Sequence, residues 1–283
     1  MLTAGATYAL WQPAPGTTWQ WQLQDAVNTS YDVEMYDVDL FDVPQATIDQ
    51  LHADGRVVIC HFEAGTWEDW RSDSAAFPAV VLGSNVDGWS GHRWLDVREL
   101  ATLVPLMGAR MDLAVSKGCE GVAPASVDGY VQNTGFPLTS SHQLAYNSAL
   151  ASEAHARSLS VGLVNDIEQV ATLQPEFDWA LNEACFQAGD CSSLTAFVTA
   201  GKAVFGVEYS GDRAVYCPQA VALGFSWLTK SLNLGDEPPN ACVAAPAPGL
   251  DSPGLIAVVL LLLATGSGWL SIRYRPRSAS APG

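Results

Sequence analysis

The strongest constraint on the fold of this 283-residue chain is a repeated unit, a short and almost wholly apolar run alternating with a longer helical stretch. The runs at residues 56–62 (RVVICHF), 118–130 (GCEGVAPASVDGY), 160–165 (SVGLVN) and 203–207 (AVFGV) lack the polar–apolar alternation of a half-exposed strand. Strands of that kind are covered on both faces, as parallel sheets are. Helical stretches at 47–53, 103–117, 140–158 and 194–200 are interleaved with them, the third opening on a Thr139-Ser140-Ser141 cap. Strand–helix alternation predicts parallel βα units. Neither GxGxxG nor GxxxxGK[ST] occurs, which argues against a nucleotide-binding doubly wound sheet. The expected class is α/β, a (β/α)8 TIM barrel. Further strands are expected at 8–11, 32–40, 93–97 and 178–182, with 225–230 as a ninth. Residues 16–21 read as a tryptophan-rich loop and 63–85 as one long loop.

A barrel of this class takes about 250 residues as one domain, which residues 1–242 supply. A Pro/Ala-rich linker, 243–253 (VAAPAPGLDSP), follows. Residues 254–272 carry no charge and approach the roughly 20 apolar residues that cross a bilayer. They are expected to form a transmembrane or sorting helix, with 273–283 as a short Arg-containing tail. Arg273, Arg275 and Arg277 then keep the tail cytoplasmic and place the barrel outside the cell, anchored to the membrane or surface. Residues 1–10 have neither a basic n-region nor an adequate apolar core, so no signal peptide is visible and a leader upstream is expected.

The net charge is −17. Such a surface disfavours nucleic acid and suits a cationic or neutral partner. The six cysteines form no CxxC pair, so neither a metal nor another cofactor is expected. Cys185 and Cys191 are close enough to close a small loop, and Cys217 and Cys242 bracket the end of the domain. Cys60 and Cys119 either pair across the sheet or stay as buried thiols. Disulfides would imply an oxidising compartment.

In a βα barrel the carboxyl ends of the strands hold the chemistry. Those ends offer Asp37 and Asp39, His61 and Glu63, Asp96, Asp128, Asn165 and Asp166, Asn182 and Glu183, and Glu208 with Tyr209. Acids, amides and aromatics around one mouth are what glycoside chemistry uses, paired carboxylates supplying acid and base or nucleophile. Ten tryptophans add flat faces for sugar rings, Trp11 among those placed after strands. Each residue also has a plainer role available. Asp96 and Asp178 suit helix caps or turns, Asp42 suits a turn, and His61 suits a satisfied core position. Ala123, Ala125 and Ser126 leave the end of the 118–130 strand without charge.

The motifs YDVDLFD (36–42), VVICHFEAGTWEDWRSD (57–73), GWSGHRWLDVR (88–98), KGCEGVAPASVDGY (117–130), TGFPLTSSHQLAYN (134–147), VGLVND (161–166), FDWALNEAC (177–185) and GKAVFGVEY (201–209) together resemble glycoside hydrolase family 114. The resemblance covers residues 8–242 and implies an endo-α-1,4-polygalactosaminidase-like barrel acting on galactosamine-rich, partly cationic polysaccharide. Where the family shows KGCDGVEPDNVDGY, this chain has Glu120, Ala123, Ala125 and Ser126 in place of Asp, Glu, Asp and Asn. The family's lysine of VGLKND is Val164, and the acid of GERW is His92. By this pattern Glu183 matches one catalytic carboxylate and Ala125 stands where its partner would be, with Asp37 and Asp128 as the remaining catalytic candidates. Trp11, Asp39, His61, Asn165, Glu208 and Tyr209 are the expected substrate-binding residues. The expected function is a surface-tethered hydrolase-like protein acting on or binding galactosamine-containing polysaccharide, its activity weak or lost. The alternative is a non-catalytic polysaccharide-binding barrel of the cell envelope.

Overall fold

The computed structural model describes residues 10–244. Its first strand, β1 (Trp19–Gln22), pairs in parallel with β2 (Met35–Asp39). Helix α1 (Gln45–Ala53) leads to β3 (Val57–Glu63). The next segment forms a small antiparallel sheet of β4 (Thr66–Glu68), β5 (Leu82–Asn85) and β6 (His92–Leu95), after which α2 (Leu100–Lys117) returns to β7 (Gly121–Ala125). Then follow α3 (Ser140–Ala156), β8 (Ser160–Val164), α4 (Val170–Leu173), β9 (Trp179–Glu183), α5 (Cys185–Ala188), α6 (Thr195–Thr199), β10 (Val204–Glu208), α7 (Arg213–Ala222) and β11 (Ser226–Thr229). A short β12 (Asn240–Ala241) adds to β11 in antiparallel sense.

Local chemistry sets several of these boundaries. The Thr139 side chain accepts from the His142 backbone N–H while the His142 side chain accepts from the Thr139 N–H, a reciprocal cap that starts α3. Lys117 lies in the last turn of α2, and Gly118 ends it at φ 85°, a conformation that glycine adopts without Cβ strain. Asp212 accepts from Ala214 N to open α7.

The main sheet runs β1-β2-β3-β7-β8-β9-β10-β11-β12, with the first eight strands parallel. It is a curled, nearly closed barrel. No ladder joins β1 to β11 among the described residues; instead the Trp19 indole N–H donates to the Ser226 carbonyl across the seam at 2.9 Å. The β1–β2 connection contains no helix, so the (β/α)8 scheme is incomplete at its first unit.

Side chains of alternate parity separate two cores. Trp19, Met35, Ile59, Ala123, Val164, Trp179, Leu181, Phe205 and Leu228 fill the lumen. Val38, Leu51, Val58, Phe62, Leu103, Met107, Leu150, Phe197 and Trp227 pack between strands and helices. Close approach at two strand glycines holds these layers together. A Cβ on Gly162 would lie 2.3 Å from the Trp179 ring, and one on Gly206 would lie 2.1 Å from the Trp227 ring.

Disulfides Cys60–Cys119, Cys185–Cys191 and Cys217–Cys242 are all formed. The first settles the open question about Cys60 and Cys119 in favour of pairing.

Several expectations are corrected. Leu10 and Trp11 are not in a strand, and residues 8 and 9 of that expected element lie outside the described residues. The barrel instead begins at Trp19–Gln22, inside the stretch read as a loop. Residues 63–85 are not one loop, because β4 and β5 pair there with β6. The barrel with a membrane helix is corrected to a barrel over the described residues. Among the described residues no helix is long and apolar enough to cross a membrane. Helix α2, 18 residues long, carries Arg110, Asp112 and Lys117. Residues 254–272, on which the expectation rested, lie outside the described residues. Membrane partnership, tethering and anchored localisation have no support in the structure and are not carried further.

Candidate functional site

Register decides which side chains meet at the mouth. In β3 the parity of Ile59, a lumen residue, continues through His61 to Glu63, and Glu63 lies in register with Ala125 on β7. In β9, Leu181 is in the lumen and Glu183 follows with the same parity. In β10, Val207 is in the lumen and Tyr209 lies two residues beyond. Side chains two apart on a strand share a face, so Glu63, Glu183 and Tyr209 all face the opening.

Glu183 is held on both oxygens. The Tyr209 hydroxyl donates to Oε2 at 2.5 Å and the Asn165 amide donates to Oε1 at 3.0 Å. Asn165 sits at φ 56°, and its Oδ1 accepts from the Glu183 backbone N–H at 2.9 Å, so one residue fixes both ends of the glutamate. Burial, with the adjacent Glu183 carboxylate, pushes the Tyr209 phenol well above its ordinary range. Three expected site residues therefore act as one unit.

Asp128 follows β7 and is half-buried. Burial pushes its carboxyl up, and the charges of Glu183 and Glu63 push it further. Asp166, at φ 46°, accepts from Asn147 Nδ2 at 2.8 Å, while its Oδ1 is buried without a partner among the described residues. Burial and then the Asp128 carboxylate raise Asp166 to about 7. The mouth thus concentrates carboxyl groups from the ends of β3, β7, β8 and β9.

Beneath it lies a buried pair. His61 Nδ1 is 3.4 Å from the Asp37 carboxylate, and the Trp21 ring packs 5.6 Å from the imidazole. Burial opposes a charge on His61, but the carboxylates of Asp37, Glu63 and Asp39 outweigh it, so the imidazole keeps its proton above the usual histidine range. Asp37 is fully enclosed. That places it under the mouth floor, behind His61 and Trp21.

The remaining expected residues are placed elsewhere or are already committed. Both oxygens of Asp39 bind the Arg71 guanidinium, at 3.1 and 2.6 Å, and Oδ1 also accepts from the backbone N–H groups of Phe41 and Asp42. Arg71 further binds Glu68 and Asp42, locking the β4–β6 sheet onto the barrel rim. Glu208 has the outward parity of β10 and is 1% exposed; it accepts from Phe186 N at 2.9 Å at the start of α5. Trp11 belongs to a segment at the opposite end of the barrel. There Gln12 reaches Asp178, ahead of β9, and the Pro13 carbonyl accepts from Ala203 N, ahead of β10.

Two acids without an assigned role join the site, Glu63 and Asp166. For Glu63 the usable signal was its parity with Ile59 and His61. For Asp166 it was the place just past the end of an apolar strand, beside Asn165. No group of His, Cys, Asp and Glu able to hold a metal occurs among the described residues.

The barrel has counterparts among known proteins. The chain is 38% identical to Ega3 of Aspergillus fumigatus, whose crystal structure is a complex with galactosamine; the match covers 82% of this chain and 98% of that one, with a TM-score of 0.77. The glycoside hydrolase domain of PelA from Pseudomonas aeruginosa is 11% identical over 77% of this chain and 94% of that one, with a TM-score of 0.59, a likeness of fold alone. No curated protein sequence matches the chain. The model of the glycoside-hydrolase family GH114 matches residues 2–245. This chain belongs to glycoside-hydrolase family GH114.

Proposed function

We propose that the protein binds galactosamine-containing polysaccharide across the barrel mouth and hydrolyses it slowly, with Glu183 as the principal carboxylate. The observation that carries this reading is the fixation of Glu183 on both oxygens by Tyr209 and Asn165, at the carboxyl ends of strands that belong to a glycoside hydrolase fold. Oriented acceptors of this kind are what displacement at an anomeric carbon requires. Galactosamine bears an amine that is protonated at neutral pH, and a chain of net charge −17 with Glu183 at its barrel mouth attracts it. Slowness follows from the uncharged slots. Ala123 and Ala125 face the same mouth and contribute only methyl groups, and loss of a positioned acid or base costs about 10²–10⁴ in rate.

Calorimetric titration with galactosamine oligomers, deacetylated and fully acetylated, tests the binding. Tighter binding of the deacetylated oligomer, weakening as salt rises, is expected. Equal affinity for both oligomers at low salt would remove the charge argument. Hydrolysis is tested by Ala125→Asp, which should raise oligomer cleavage by at least about tenfold; an unchanged rate in a folded variant would show that position 125 does not limit it.

A further inference from the structure

Glu63 is better anchored than a rim residue needs to be. Its backbone carbonyl accepts from Arg110 Nη1 at 2.5 Å, and Arg110 is buried and doubly bound to Asp73. The next carbonyl, of Ala64, accepts from the buried Tyr146 hydroxyl at 2.7 Å. The N–H groups of Ala64 and Gly65 both donate to the Ala125 carbonyl, at 2.9 and 3.0 Å. Only a glycine fits at 65, since a Cβ there would lie 1.7 Å from the Ser126 carbonyl oxygen. The side chain is fixed as well. The Ser126 and Thr66 hydroxyls both bind Oε2, at 2.6 and 2.7 Å, whereas Oε1 has no hydrogen-bond partner among the described residues. Across the register stands Ala125, whose methyl group leaves space beside that free oxygen.

From this geometry we infer that Glu63 is the second carboxyl group of the hydrolysis, delivering a proton from Oε1 while Glu183 serves the attacking side. Three steps along the wall, β3 to β7 to β8 to β9, separate the two strands, roughly 14 Å at about 4.8 Å per step, with both side chains directed inward. In the step itself, the proton on Glu63 passes to the glycosidic oxygen as the bond from that oxygen to the anomeric carbon breaks. The shorter oligomer leaves as an alcohol. Water supplies the hydroxyl that the anomeric carbon gains and its proton passes to Glu183; exchange through solvent then takes that proton from Glu183 and returns one to Glu63, with no redox partner. The inference rests on the proposed function.

Glu63→Gln separates the possibilities when assayed on two substrates. One is a plain galactosamine oligomer. The other is its 4-nitrophenyl glycoside, whose leaving group needs no protonation. On the plain oligomer the variant should lose about 100-fold or more. On the nitrophenyl glycoside it should lose little, whereas Glu183→Gln should fail on both. Equal losses on both substrates, or no loss on either, would overturn the role of Glu63. If Glu63→Gln does not fold, Ser126→Ala removes one of the two groups that fix Oε2, and its loss must again be confined to the plain oligomer. A wild-type protein that binds the oligomer but never cleaves it would overturn this inference and leave the polysaccharide-binding reading intact. A protein that does not bind would overturn both.

Discussion

The two ends of the barrel lumen are built by opposite rules. At the amino ends of the strands, Trp19, Trp179 and Phe205 pack with ring centroids 5.1 and 5.6 Å apart. The Trp179 indole N–H donates to Ser160 Oγ at 3.0 Å, and that of Trp19 to the Ser226 carbonyl. Every polar atom these rings bring is matched. At the carboxyl ends, Asp37 and Asp166 each keep a buried oxygen without a hydrogen bond among the described residues, that of Asp37 lying 3.4 Å from His61 Nδ1, and Asp37, Asp128 and Asp166 are all pushed up by burial. Unpaired buried polar atoms cost stability. The first end is therefore a packed plug, and the second is an arrangement that packing alone would not select.

Substitutions can break this contrast. The largest effect is expected at the plug. Trp179→Ala should lower the unfolding free energy by about 3–5 kcal/mol, read by urea denaturation, since the ring is fully buried against Gly162. A loss below about 1 kcal/mol would show that the plug is not what supports the barrel.

At the mouth the effect should be on rate rather than stability. Glu183→Gln should reduce oligomer cleavage by about 10²–10⁴, with the melting temperature nearly unchanged. A matching drop in stability would mean that the Tyr209–Glu183–Asn165 unit is structural.

The pH dependence sharpens the comparison further. Folded Asp166 holds its proton to about pH 7, whereas the ordinary value is 3.8. Between those values the folded state binds more protons than the unfolded chain, so this group's contribution to stability is lost as pH rises through that window. Asp166→Asn should flatten the slope and make the protein more stable at pH 8 than the wild type by about 2–4 kcal/mol. Parallel stability curves for the two proteins between pH 4 and 8 would refute that assignment.

The smallest effect is expected where the mouth loop is stapled. Replacing Cys185 and Cys191 by serine opens a link of sequence separation 6 just beyond Glu183 and should cost about 2 kcal/mol. Thermal denaturation of the pair variant checks it.

Much of the barrel was legible in the chain. Residues 56–62, 140–158, 160–165 and 203–207 fall within one or two positions of β3, α3, β8 and β10, because strands covered on both faces must be apolar throughout. β1 lies in the stretch read as a tryptophan-rich loop, although its sequence, WQWQ, alternates as a strand does. Its glutamines are nonetheless buried. The Gln22 side chain donates to the nearby carbonyls of Gln24 and Ala26, and that of Gln20 to the Glu237 carbonyl, a partner that only the folded chain brings near. The β4–β6 sheet depends in the same way on pairing Thr66 with Trp94.

At the site, strand ends pointed to Glu183, Asn165 and Tyr209, and the fold assembles them. The same reasoning could not separate Glu208 from Tyr209, because one residue of strand parity turns one outward to α5 and the other inward to Glu183. The sequence by itself determined that apolar strands would be enclosed by helices, and that positions 123 and 125 would bring no charge to the mouth. Tertiary structure decided which acids stand beside that vacancy. Glu63 is 62 residues from Ala125 in the chain and directly across the register in the sheet, since neighbouring parallel strands are joined by long crossovers and proximity is set by register rather than by sequence.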